Sequence, residues 1–275
     1  MITLPGQLDA SGPQSVPLVA VSVGNTRTAW ASVEDAEPSP RQVAAHDDPE
    51  RTAAAIAEHA AAAGESAPVV LASVSEPAST ALIPRIEAAL GREVYLIGRD
   101  VPIPIERAID ADTTPGLDRL LNALAAFDVM GQACVVVDAG TAVTVDFVDG
   151  EGTFQGGAIA PGLAMMLRAL HEGTASLPLV VPALPDGGEQ APFAKRTEQA
   201  LLVGATASVQ GLVRLLTERY AIAYDAYPQV VVTGGDAALL FDGDELIDRI
   251  VPDLTLRGIA LACRRALAGA ADDEA

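Results

Sequence analysis

Cysteine is almost missing: Cys134 and Cys263 are the two thiols in 275 residues. They stand far apart without a CxxC or Cys/His spacing, which excludes a disulfide framework and a zinc signature. A reducing compartment fits. Aromatic residues make up 4% of the chain, and Trp30 and the four tyrosines form no series, so no stacking platform for nucleic-acid bases is expected. Basic residues are outnumbered, 17 Lys plus Arg against 37 Asp plus Glu, for a net charge of −20. That mean field repels phosphodiester backbones and anionic membranes, so neither is an expected partner. A small anionic ligand stays possible, because Gly-rich backbone and a bound cation override the mean field locally. No run of 18 or more residues is uninterruptedly apolar, as a bilayer span requires. The histidines, His46, His59 and His171, are scattered and belong to no catalytic or metal-ligand pattern. Residues 1–17 contain neither Lys nor Arg nor an apolar h-region, which counts against a secretory signal and reads as a loose leader of a cytoplasmic protein.

What is present is a substantial apolar fraction, 50%, enough for a large core in one large or two ordinary domains. Val16 to Val23 reads as a strand ended by Gly24-Asn25, with Thr28 to Val33 returning as its hairpin partner. A Pro- and acid-rich loop is expected from Glu34 to Glu50, then a helix over Arg51 to Ala63, a strand over Val69 to Val74, a helix over Thr80 to Leu90 and a short strand over Val94 to Ile97. A second unit starts near Thr113, where Pro115 fits the first turn of a helix whose Leu117, Leu120, Leu121, Leu124 and Phe127 follow helical spacing. Strands at Cys134 to Val137, Ala142 to Val148 and Thr153 to Phe154 lead to a glycine-rich loop ending at Gly162. Helices follow at Leu163 to His171 and Glu198 to Tyr220, then a strand at Val230 to Thr233 and a helix start at Ala237. Alternating strands and helices predict an α/β fold. The expected division is a leader at 1–17, an α/β domain at 18–112, a second at 113–265 and an acidic tail at 266–275.

Val21-Ser22-Val23-Gly24-Asn25-Thr26 aligns with Val137-Asp138-Ala139-Gly140-Thr141-Ala142, each a strand, a tight Gly turn and a further strand, which implies two related halves. A Gly turn lets backbone N–H groups approach a phosphate because no Cβ blocks the oxygen, and Asn25, Thr26 and Thr141 add side-chain donors. The two turns predict paired claws on a polyphosphate; the plainer reading is two hairpin turns. Asp138 ends a very apolar strand, where a carboxylate needs a cation or donors; Asp146 on the next strand reads as a face-alternating polar residue, although it could reach the same ion. Asp118 in Gly116-Leu117-Asp118-Arg119 sits in a first helical turn, where an anion is stabilised without further task. Beside Arg119 it also supplies a base next to an anion clamp.

Taken in order, Gly24-Asn25-Thr26, Gly116-Leu117-Asp118-Arg119, Asp138-Ala139-Gly140-Thr141-Ala142, Gly156 to Gly162, Thr174-Ala175-Ser176-Leu177-Pro178 and Thr233-Gly234-Gly235 are similar to the type III pantothenate kinases. The resemblance spans residues 18 to 260. It implies two duplicated actin-like, ribonuclease H-like α/β domains of the acetate and sugar kinase, heat-shock protein and actin superfamily, an interdomain nucleotide cleft and a homodimer. It also implies ATP with Mg²⁺ as phosphoryl donor, pantothenate as acceptor and a monovalent cation, K⁺ or NH₄⁺. By the same likeness Ser22, Gly24, Asn25, Thr26 and Thr141 would meet ATP, Asp138 the cation, and Gly116, Leu117, Asp118, Arg119 and Thr197 pantothenate, with Asp118 as proton acceptor. Thr197 reads equally as the N-cap of the helix after it. One position departs: the family's first motif begins Asp-x-Gly-Asn-Thr, whereas this chain has Ser22. The alternative implied by that serine is a weakened homologue binding nucleotide or pantothenate as a regulatory module.

Overall fold

The computed structural model describes residues 17–34, 37–64, 67–185 and 193–272, with side chains described through residue 268. The leader expected at 1–17 lies outside this range except for Pro17. The chain divides into two compact units, one made of residues up to Glu106, Ala111–Ala125 and the segment from Asp253, the other of Arg107–Asp110 and Ala126–Pro252.

In the first unit β1 (Leu18–Val23) is an almost continuous apolar run, the composition of a strand covered on both faces. It pairs antiparallel with β2 (Arg27–Glu34), from Leu18↔Val33 to Val23↔Thr28. The outer edge of β2 carries two short strands, β3 (Glu37–Pro38) and β4 (Gln42–Ala45). Both fall within the stretch from Glu34 to Glu50 expected as a loop; Pro and acidic residues suit exposed edge strands and hide them from a pattern search. In the gap between these two partners the Ser32 N–H donates to Nε2 of His59 at 2.9 Å, so that histidine completes the sheet edge. The helix α1 (Pro49–Ala63) ends at Gly64, and β5 (Val69–Ser73) runs parallel to β1. After α2 (Glu76–Leu90), closed by Gly91 in the left-handed region at φ 66°, β6 (Tyr95–Leu96) completes the order β3-β2-β1-β5-β6. Val19, Val21, Trp30, Ile56, Leu71 and Ile86 form its core against α1 and α2.

The helix α3 (Leu117–Met130) starts two residues after Pro115, so that proline precedes the first turn instead of lying in it. In the second unit β7 (Cys134–Ala139) pairs antiparallel with β8 (Ala142–Val148). Next comes β9 (Phe154–Pro161), which continues through the glycines read as a loop and pairs with β8 from Val148↔Phe154 to Ala142↔Pro161. Gly157 is required in that strand because a side chain there would meet the Val145 carbonyl oxygen and the Asp146 carboxylate, and Gly156 because it sits at φ 90°. The helices α4 (Leu163–Glu172) and α5 (Thr197–Tyr224) precede β10 (Gln229–Thr233), which runs parallel to β7. A short α6 (Ala237–Phe241), β11 (Arg249–Ile250) and α7 (Leu254–Asp272) follow.

The second sheet has the order β11-β10-β7-β8-β9. Substituting β1 for β7, β2 for β8, β3 for β9, β5 for β10 and β6 for β11 gives the first sheet's order, so the repeat seen in a few residues is a repeat of topology. By length and composition α5 could cross a bilayer, but Leu201, Leu202, Ala205, Val209 and Val213 pack into the second unit's core. Residues 266–272 of the expected acidic tail are the end of α7; 273–275 lie outside the described residues. The first half of α3 and α7 both belong with the first sheet, which a division at residue 112 does not express.

Both thiols are buried and free, and burial pushes each up to about 12. A thiolate is the reactive form. Ellman's reagent at pH 8 is therefore expected to leave the folded protein unmodified over minutes and to titrate two thiols once denaturant is added.

Candidate active site

In the first unit the site residues gather at the carboxyl end of β1. Ser22 is half-buried, next to Ala29 on β2 and Ala72 on β5 in the ladder. The Gly24 N–H donates to the Arg27 carbonyl at 3.0 Å, closing a turn that leaves Asn25 and Thr26 exposed. Beside it the Val74 N–H donates to the Val23 carbonyl at 3.0 Å, and Val74 Cγ1 lies 3.9 Å from where a Cβ on Gly116 would stand. Val74 thus joins the first phosphate-type turn to the Gly116–Arg119 motif, a link that no sequence spacing indicated.

Asp118 is the second residue of α3 and half-buried. Its Oδ1 accepts the Arg119 N–H at 2.8 Å, so the carboxylate caps the helix that carries it. The same oxygen lies 2.5 Å from the position of a Gly116 Cβ, which explains the glycine: a side chain there would displace the carboxylate. Loss of water holds this carboxyl above the usual carboxylate range, although the Arg119 N–H and guanidinium pull in the opposite direction. A raised carboxyl next to an arginine suits proton acceptance better than an exposed aspartate does.

In the second unit Asp138 occupies in β7 the place Ser22 has in β1, two residues before the turn glycine. It is half-buried, with Thr144 and Thr233 as ladder neighbours on either side. The Gly140 N–H donates to the Ala142 carbonyl at 3.0 Å, repeating the Gly24 turn with one residue fewer between the strands. Two further glycines press on this turn. A Cβ on Gly162 would strike the Gly140 and Thr141 carbonyl oxygens, and one on Gly234, at φ 100°, the Ala139 carbonyl and the Asp138 carboxylate. Gly234 thus lies against the Asp138 carboxylate and the Ala139 carbonyl, and carboxylate oxygen is a donor suited to a hard cation. Among the described residues no three His, Cys, Asp or Glu side chains cluster as a metal cage; magnesium held chiefly by water and substrate phosphates needs none.

Asp146 is 1% exposed, so the alternation of faces expected along β8 stops before it, and its carboxylate lies over Gly157 on β9. Thr197 is the exposed first residue of α5; the N-cap is Arg196, in extended conformation, so the capping reading of Thr197 does not hold.

A family model described as type III pantothenate kinase matches residues 18–219. The type III pantothenate kinase of Akkermansia muciniphila is 44% identical over 147 residues, 54% of this chain and 59% of that protein. That of Ruegeria pomeroyi is 39% identical over 175 residues, 63% of this chain and 66% of its own length. The aligned stretches thus span about three fifths of these relatives. A ROK family glucokinase from Streptomyces griseus, solved with glucose and AMPPNP, superposes with a TM-score of 0.50 at 15% identity, covering 90% of this chain and 99% of the other. That likeness concerns fold alone and agrees with two actin-like α/β domains. With the family match covering both glycine turns, the Asp118 motif and Thr197, the chain belongs to the type III pantothenate kinase family.

Proposed function

We propose that the protein transfers the γ-phosphoryl group of ATP to the primary hydroxyl of pantothenate, giving 4′-phosphopantothenate, the first step toward coenzyme A. The observation carrying this reading is the half-buried Asp118, held over Gly116 beside Arg119 with its carboxyl raised by burial. Phosphoryl transfer needs little covalent help from the protein, so positioned donors, charge stabilisation and a base suffice. Asp118 accepts the proton of the attacking hydroxyl, Arg119 holds the pantothenate carboxylate, and Gly116, Leu117 and Thr197 complete the acceptor site. Ser22, Gly24, Asn25, Thr26 and Thr141 bind ATP. Asp138, beside Gly234, holds a monovalent cation, K⁺ or NH₄⁺. Magnesium would supply charge neutralisation on the phosphates. The exposed apolar side chains of the second unit, Ile159, Met165, Leu179, Val181 and Leu184, support a homodimer, for which sedimentation equilibrium is the check. A cytoplasmic location follows from the same metabolic role.

The raised Asp118 carboxyl gives a pH signature. A base works only when ionised, so activity is lost as pH falls through its pKa, and a raised value moves that loss to higher pH. The acid limb of kcat/KM is therefore expected above the ordinary carboxylate range, measured in a pyruvate kinase-coupled assay with pantothenate, ATP, Mg²⁺ and varied K⁺. A limb at or below that range would remove Asp118 as the base. Ser22 favours a second reading, a weakened homologue that binds without turnover. Tight calorimetric binding of ATP or pantothenate with no ADP release at high Mg²⁺ would select it.

A further inference from the structure

The helix that carries Asp118 is gripped by α7, to which none of the sequence motifs points. Asp253, just before α7 and at φ 61°, pairs with Arg41, and Arg257 makes two bonds of 2.6 Å to Glu37. These fix the start of α7 to the edge-strand region of the first unit. On its other side Thr255 Oγ1 donates to Asn122 Oδ1 at 2.8 Å. One turn later Gly258 crosses Leu121 so closely that a Cβ would meet the Leu121 carbonyl oxygen and lie 2.8 Å from its Cβ. Asn122 is 2% exposed and stands four residues after Asp118, on the same face of α3.

We propose that α7 is the strut that positions the base, with Thr255, Asn122 and Gly258 as positioning residues for Asp118; this rests on the kinase reading above. The physical reason lies in how α3 begins. Pro115 and Gly116 precede it without regular structure, and its first turn is capped by Asp118 itself. An axial slip of α3 therefore moves cap and base together. The part-buried hydrogen bond fixes the axial register one turn from the base, and the glycine crossing admits α7 close enough to form it. A misplacement of about 1 Å at a reacting group lowers rate by roughly a hundredfold.

The test uses the full chain with Thr255→Val, which removes the hydroxyl at nearly constant volume, Thr255→Ala, which removes it at smaller volume, and Thr255→Ser, which keeps it. For the valine and alanine variants kcat is expected to fall roughly ten- to a hundredfold, with KM for ATP and pantothenate within about twofold, while serine restores the wild-type rate. Independently of turnover, a carbon-13 NMR titration of the Asp118 carboxyl is expected to shift toward the ordinary carboxylate range in the valine and alanine variants and not in the serine variant. Wild-type titration and wild-type kcat in folded Thr255→Val would overturn the strut. If the wild-type protein shows no turnover, the kinase reading fails, and the NMR arm still decides whether Thr255 sets the environment of Asp118.

Discussion

Asp118→Asn is expected to fold normally and to lose phosphoryl transfer by a factor on the order of a hundred to ten thousand, the usual worth of a positioned general base. The substitution is unusually clean here. The asparagine oxygen can still accept the Arg119 N–H that Asp118 Oδ1 now accepts at 2.8 Å, so the helix start survives. Burial disfavours the ionised carboxylate at this position, and a neutral amide removes that penalty, so the thermal midpoint should not fall. Calorimetry should give affinities for ATP and pantothenate close to wild type. Retained turnover in a folded variant would show that the carboxylate is a cap and nothing more.

Ser22→Asp is expected to raise turnover, by about a hundredfold if the missing charge acts as electrostatic groups in active sites commonly do. Duplication supplies the structural argument. The second sheet carries Asp138 at the place where the first carries Ser22, two residues before the turn glycine. The ladder neighbours of Ser22 are Ala29 and Ala72, small residues that leave room for a carboxylate. A serine hydroxyl can ligate magnesium directly or through water but brings no negative charge to hold it. The gain should appear in kcat/KM across a magnesium series, with half-saturation at lower metal concentration than wild type. An unchanged or lower rate with intact folding would mean that this chain has rearranged its metal binding around the serine.

The α/β fold and the two glycine turns were legible because they rest on local chemistry. An apolar strand, a glycine and a further apolar strand produce a glycine turn twice, and the equal orders of five strands in each sheet extend that likeness beyond the turns, β4 alone lacking a counterpart. Edge strands β3 and β4 were not legible, because exposed two- and four-residue strands carry no apolar alternation. β9 was obscured for the opposite reason. Its glycines read as loop signals, whereas Gly157, opposite the buried Asp146, leaves no room for a side chain, and Gly156 adopts a φ of 90° that favours glycine. The role of Gly116 depends on where the Asp118 carboxylate turns, which no local pattern encodes, and the contact of α7 with α3 joins residues 133 apart in sequence.

In the proposed reaction Asp118 takes a proton from pantothenate while ATP gives up its terminal phosphoryl group. The most direct measurement is phosphorus-31 NMR of a mixture of the purified protein, pantothenate, ATP, Mg²⁺ and K⁺, run beside the Asp118→Asn variant. The account predicts a growing phosphomonoester resonance of 4′-phosphopantothenate, matched by ADP, with the wild-type protein and none above background with the variant. ATP left intact by both wild type and Ser22→Asp, or an equal phosphomonoester signal from wild type and Asp118→Asn, would contradict it.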